Sequence, residues 1–276
     1  MAKQVAKVDA GLPAYLQGYE GATGNENIDN EDVTIPRIKL AQGTTPEVKA
    51  GDITEGAFFL NITGEVLAHP GEPLRVIPIA QSKEFILWRD QNFDGGGIFA
   101  RAHRVDTNNG VKYEWDKQGQ TFENKIKGLL PVTWKTVRFV SDNNMDKFGS
   151  SNVDDTESFP AATAHHNYVV ALPDHGMMIA AISLSNTAVK KAKAFNAMLK
   201  LIPARVPIFS RVFNMSRVQE TNGAGQVYNN YDFKPAGDAD EADFFIAKDL
   251  FAGFESTGYT VDQTGGDEST ADNGKF

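Results

Sequence analysis

Three sets of residues in this chain have types and spacing that could do chemistry. The first is a histidine-acid set: His165, His166 and His175, with Asp154, Asp155 and Glu157 just upstream. Such residues could hold a metal ion and activate water, the chemistry of a metal-dependent nuclease or hydrolase. Adjacent side chains of a strand point to opposite faces, so His165 and His166 do not readily share one ion. The chain has no cysteine, which removes thiolate ligands, disulfides and a cysteine nucleophile. The run Asp154-Asp155-Thr156-Glu157 lacks the spacing of a calcium loop and reads most simply as a solvated acidic loop. No phosphate-binding loop, Gly-x-Ser-x-Gly elbow or His-Glu-x-x-His motif occurs, and Gly95-Gly96-Gly97 precedes a strand, where it serves as a turn. Catalysis is therefore not expected, and no cofactor or metal is called for.

The second set interleaves aromatic and basic residues. Trp88 adjoins Arg89; Lys112-Tyr113-Glu114-Trp115 alternates; so does Val132-Thr133-Trp134-Lys135-Thr136-Val137-Arg138. Tyr228 falls on the opposite face of its strand from Val227, Tyr231 and Phe233, which places it outside if those three are core. Flat rings beside cations suit sequence-tolerant binding of single-stranded nucleic acid. Every base has a face to stack, at about 1–3 kcal/mol, and cations track the phosphates. On this reading Trp88, Trp115, Trp134 and Tyr228 stack bases, and Arg89, Arg101, Arg104, Lys135, Arg138, Lys190 and Arg211 meet phosphates. The plain alternative stays open for each of them: Trp and Tyr are usually core, and alternating lysines are how a solvated face looks.

The elements that must position these residues are mostly strands. Candidates are Ala57–Ile62, Leu74–Ala80, Lys83–Trp88, Gly97–His103, Val111–Trp115, Val132–Val140, Ala164–Leu172 and Met177–Leu184. A hairpin follows, Ile208–Val218 and Gln226–Lys234 around Asn222-Gly223-Ala224-Gly225. Two helices interrupt the pattern. One runs over about 186–202 behind Ser185 as N-cap, with Ala188, Ala192, Phe195 and Leu199 on one stripe and Lys190, Lys193 and Lys200 opposite. The other runs over about 240–256, starting near Asp238 with Glu241 as a capping-box partner and Phe244, Ala247, Phe251 and Phe254 on one face. The fold class is mainly β with two helices (α+β). Short strands with frequent turns suggest an antiparallel OB-like barrel, with a β-sandwich as the alternative. Residues 36–258 are expected to be a single β-rich DNA-binding domain, between an acidic disordered arm at 1–35 and an acidic disordered tail at 259–276.

The third set is that tail. The net charge of −9 is unevenly distributed. Residues 1–35 hold 2 basic and 6 acidic side chains, residues 238–276 hold 2 and 10, and the 36–237 stretch keeps 23 and 20, a net +3. A flexible acidic end beside a mildly basic middle can compete with DNA for a basic groove and, once displaced, dock to partners. The residues Asp262, Asp267, Glu268 and Asp272, with Phe276 at the very end, resemble the tails of bacteriophage single-stranded DNA-binding proteins. Ile35-Pro36-Arg37-Ile38-Lys39-Leu40-Ala41-Gln42 and Gln226-Val227-Tyr228-Asn229-Asn230-Tyr231 also look like stretches of phage replication-associated proteins. The resemblance implies an oligonucleotide-binding barrel, no enzymatic activity, and coating of single-stranded DNA during replication and recombination. It also implies that Asp267, Glu268, Asp272 and Phe276 dock phage replication proteins. A phage virion structural or scaffold protein is the first alternative, and a metal-dependent nuclease or hydrolase the second. Without an apolar run long enough for a membrane span or a secretion signal, the expected address is the host cytoplasm, with a homodimer left open.

Overall fold

The computed structural model describes residues 35–88, 97–117, 120–122, 132–133, 138–148, 161–223 and 225–257. The chain enters at Pro36–Arg37, which pairs in parallel with Ala181 on a sheet edge. It then crosses into a small sheet made of β1 (Ile38–Leu40), β2 (Phe58–Leu60) and β3 (Val66–Ala68), in antiparallel order β1-β2-β3. A five-residue helix, α1 (Pro46–Ala50), interrupts it, opened by proline and closed by Gly51 at φ 86°.

The large sheet is built on β4 (Leu74–Trp88), one 15-residue strand where the sequence suggests two. The polar pair Gln81-Ser82 reads as a break, yet the strand runs through it with those two side chains exposed. Pro78 lies beside a register shift, where a missing N–H is tolerated. After β4 come β5 (Ile98–Thr107), β6 (Gly110–Trp115), the pair β7 (Thr121–Phe122) and β8 (Val132–Thr133), β9 (Phe139–Val140), β10 (Ala162–Leu172) and β11 (Met178–Leu184). Helix α2 (Val189–Leu201) follows, then the long hairpin β12 (Arg211–Thr221) and β13 (Val227–Asp238), and α3 (Glu241–Thr257) closes the described chain.

Pairing runs β11-β10-β4-β5-β6-β9, and β12 joins the opening residues of β4 from the side that β5 occupies further along. The sheet forks at β4, and among the described strands β11 and β9 stand at its two ends. This corrects the barrel expectation: the described strands form an open, layered antiparallel sheet. The hairpins at β5–β6 and β12–β13 supply local pairing, but β4 serves three neighbours and β10 two, and that choice is tertiary.

Both faces of the β4–β10 pair are covered. On one, Tyr168, Val170 and Leu172 of β10 meet Phe58 and Leu60 of the small sheet and Phe195 and Leu199 of α2. Phe195 stacks on Phe233 with centroids 4.2 Å apart and 12° between planes. On the other, Ile77, Ile79, Val169 and Ala171 meet Ala247 of α3, with Phe244, Phe251 and Phe254 packed alongside. The expected apolar stripes of both helices are thus the buried ones. Their starts differ from expectation. A 3₁₀ turn, Asn186–Ala188, precedes α2, and Ser185 makes no side-chain cap. For α3 the cap is Asp240, whose Oδ1 accepts from the Asp243 N–H at 2.8 Å, while Asp238 ends β13. Among the described residues, no helix is long and apolar enough to cross a membrane.

The two sequence stretches singled out as phage-like meet in space. The Gln42 side chain donates to the Asn229 carbonyl at 2.8 Å and accepts from the Asn229 N–H at 3.0 Å. One amide side chain thus does for β13 what a neighbouring strand would do. The Asn229 amide in turn donates to the Ala41 carbonyl and to Glu55. These residues tie the hairpin to the small sheet.

Candidate nucleic-acid interface

A groove of about 460 Å³ opens at the edge formed by β6 and β9. Lys83 and Phe85 of β4, Lys112 and Tyr113 of β6, Phe139 of β9 and Asp142 line it. The turn carrying Asp142 is stapled by Asn144. Its Oδ1 accepts from the Ser141 N–H at 2.7 Å and its amide donates to the Phe139 carbonyl at 3.0 Å. Beyond the turn, Phe148 is driven edge-on against Trp115, centroids 5.3 Å apart, which anchors the segment to the core.

Cations lie over rings throughout the groove. Lys83 Nζ is 4.7 Å from the Phe85 centroid and 5.6 Å from that of Tyr113. Lys112 Nζ is 4.8 Å and the Arg138 guanidinium carbon 5.1 Å from the Phe139 centroid. Such contacts hold long cationic side chains in place at modest cost. Arg104 is the register partner of Tyr113. Burial pushes the Tyr113 hydroxyl above its ordinary pKa, against the opposing pull of Arg104.

Acids offset part of this charge. Asp142 bonds Lys83 at 2.7 Å and reaches Lys193 of α2 at 3.8 Å. Burial would raise the Asp142 carboxyl, but the Lys83 hydrogen bond, the two lysines and His166 together hold it below the usual carboxylate range. His166, directly across from Lys83 on β10, is depressed to about 4, first by burial and then by Lys83 and Lys193, with Asp142 opposing. Arg104 pairs with Asp106 at 3.1 Å and Arg138 with Glu114 at 2.6 Å, all near the surface.

A scan of protein families matches residues 3–260 to the family described as Pam3 phage gp34-like protein. The chain belongs to this family. The match supports a phage origin, and its description carries no activity. No curated protein and no solved structure matches.

In this family member, the sequence-derived site residues separate into groups. Arg104 and Arg138 flank the groove without lining it: Arg104 stands opposite Tyr113, and Arg138 lies by Phe139 and Glu114. Trp115 does not serve as a stacking ring: at 1% exposure, packed on Phe148 among Phe85, Leu87 and Val140, it has no face open to a base. Trp88 and Arg101 belong to a polar network on the other face of the sheet. Trp88 Nε1 donates to Thr163 Oγ1 at 2.8 Å, and Thr163 bonds His165 at 2.9 Å, whose Nδ1 lies 3.3 Å from Ser183. Buried Glu84 accepts from Asn167 at 2.7 Å and from Arg101 at 3.1 Å, so its charge is compensated. Lys190 is exposed at the start of α2, and Arg211 pairs with Asp238; neither lines the groove. Tyr228 donates to Glu220 at 3.0 Å on the hairpin, while Val227, expected in the core, is exposed near the hairpin tip. Arg89, Trp134, Lys135 and the tail residues Asp262, Asp267, Glu268, Asp272 and Phe276 lie outside the described residues, as does the Asp154–Glu157 loop.

His165 and His166 face opposite sides of β10, as strand alternation requires. His165 sits with Thr163 and Ser183, whereas His166 Nδ1 faces the Asn196 amide at 3.5 Å. Among the described residues, no group of three or more His, Asp or Glu side chains is placed to hold a metal ion. The groove residues that sequence reading passed over include Lys83, Phe85, Phe139 and Asp142. The signal was there for Phe139, which extends the aromatic-basic alternation past Arg138. Nothing local marks Lys83 or Asp142, which meet across 59 residues of chain.

Proposed function

We propose that this phage protein binds single-stranded DNA without sequence preference and coats it during replication and recombination. The observation that carries the reading is the groove in which Phe85, Tyr113 and Phe139 each lie under a cation. Phe85 and Tyr113 share one face of the sheet, and Phe139 lies around the β6–β9 edge on the other. A base can lie against a ring while the neighbouring phosphate meets Lys83, Lys112, Arg104 or Arg138. Asn143, exposed at the rim, offers sequence-blind hydrogen bonds. Binding of this kind has no chemical step and requires no cofactor. The acidic tail acts as a competitor for the same cations, and Phe276, once released, docks phage replication proteins. The open forked sheet takes the place of the expected barrel.

The test is an oligo-dT titration followed by fluorescence anisotropy at about 50 and 200 mM salt, where phosphate-dominated binding weakens steeply. Lys112→Gln and Arg138→Gln should each lower the salt slope by roughly 0.7, the single-strand value per phosphate contact. Truncation after Val261 should tighten binding at low salt. Absence of any complex at about 50 mM salt overturns the proposal.

A second reading, a virion structural protein, is favoured by the outer face of α3, where Phe245 is 52% and Ile246 45% exposed. Sedimentation without DNA separates the two: a large closed assembly supports the structural reading.

A further inference from the structure

We infer that Lys83, Lys193 and His166 form a phosphate subsite of the groove, and that Asp142 fills it when no ligand is bound. This rests on the groove's being a nucleic-acid interface and names where one backbone phosphate would sit. The Asp142 carboxylate lies between two ammonium groups from different elements, 2.7 Å from Lys83 on β4 and 3.8 Å from Lys193 on α2. An anion bridging two fixed cations occupies the position that a phosphodiester oxygen would take. The cations are held independently of it. Lys83 is held by the Phe85 and Tyr113 rings, and the backbone of Lys193 by α2. Asp142 itself stands exposed on a short turn after β9.

His166 supplies the second observation. It is 5% exposed, and its Nε2 is buried without a hydrogen-bond partner. Tyr168 donates to Asn196 Oδ1 at 2.8 Å, which turns the Asn196 amide toward His166 Nδ1 at 3.5 Å. Nδ1 is then the acceptor, and the ring proton sits on Nε2. A buried donor without an acceptor is costly and rarely kept without purpose. It stands across the strand pair from Lys83, within the field of Lys83, Lys193 and Asp142. A phosphate in place of the carboxylate carries further oxygens, one of which would accept from Nε2. The exchange of one monoanion for another leaves the local charge unchanged, so occupancy is decided by contacts made elsewhere along the strand. Isolated phosphate should then compete poorly with Asp142, while a phosphate delivered by a stacked strand should displace it.

The test uses the full chain labelled with ¹⁵N at histidine. Asp142→Asn is titrated with inorganic phosphate at constant ionic strength, with chloride as the control. The His166 imidazole resonance should shift saturably in D142N, at about tenfold lower phosphate than in the unmodified chain, and not in D142N/K83Q. No saturable shift in D142N, or an equal one in D142N/K83Q, overturns the subsite. A second arm compares oligo-dT binding of D142N with D249N, the same charge change at an exposed position of α3. D142N should bind at least about threefold tighter than D249N, because only it removes a resident competitor. If the unmodified chain ignores oligo-dT while phosphate still moves His166 in D142N, the interface reading falls and the subsite stands. If oligo-dT binds, D142N tracks D249N and His166 stays unmoved, the subsite falls and the interface stands.

Discussion

Between pH 7 and about 4.5, acidification should destabilise this protein chiefly through His166. Its pKa falls from 6.5 in the unfolded chain to about 4 in the folded one, because burial and the ammonium groups of Lys83 and Lys193 disfavour the imidazolium. Between those two values the unfolded chain holds a proton that the folded chain does not. Stability therefore rises with pH across this window. It is fully present above about pH 6.5 and is lost progressively as pH falls toward about 4, below which both states are protonated. The two and a half units, at about 1.4 kcal/mol each, set a ceiling near 3 kcal/mol. With a urea dependence of about 2–3 kcal/mol/M, the unfolding midpoint should drop by roughly 1 M from pH 7 to pH 4.5. His166→Gln keeps the side-chain size and cannot titrate, so most of that drop should vanish in the variant whatever its constant effect on stability. Asp142 and Glu220, both held below their usual carboxylate range, lose their contributions only as pH falls below the unfolded carboxylate values. A drop in H166Q as steep as in the unmodified chain would refute the reasoning, as would an NMR titration placing the His166 pKa near 6.5.

Three further outcomes are expected. Gln42→Ala strips both backbone partners from Asn229 and should cost about 2 kcal/mol of unfolding free energy, measured by urea melts. Gly56→Ala should cost about 1–2 kcal/mol, because Gly56 sits at φ 86° and a Cβ there would meet Arg217 Cδ at 2.6 Å. Arg217→Ala in that background should recover the steric part and leave the backbone part, read from the same melts. Phe195→Ala should destabilise by about 3–5 kcal/mol, since the ring contacts Tyr168, Phe213 and Phe233 at once; a loss below about 1 kcal/mol would mean the site collapses around the deletion.

Period-two and helical patterning made most elements legible, because burial of alternate residues is a local property. Ala192, Phe195 and Leu199 announced the buried face of α2, and Phe244, Ala247, Phe251 and Phe254 that of α3. What patterning could not supply was pairing. Strand β4 takes β10 along one edge and divides the other between β12 and β5, a choice made by partners distant in sequence. Repeated short strands look the same whether the sheet closes or forks, so a barrel and a layered sheet could not be told apart. The break read at Gln81-Ser82 has the same origin: two exposed polar residues mark a turn only if the strand has no reason to continue.

The candidate site shows the limit more sharply. Interleaved aromatic and basic residues locate β6 and its neighbourhood, but composition does not say which member of each pair faces out. Trp115 and Tyr113 share one face of β6, two residues apart. Phe148 closes over Trp115, so the larger ring is lost to the core, and the smaller is left at the groove beside Lys83. Which aromatic remains available is thus settled by a residue 33 positions downstream, on the far side of the turn that carries Asp142. That same turn positions the carboxylate facing Lys83. One segment therefore both buries the ring that sequence reading favoured and shields the lysine it passed over. Any ligand of this groove must contend with the Ser141–Phe148 segment first, which is why Asp142, and not a tryptophan, is the residue whose substitution most directly tests what the groove is for.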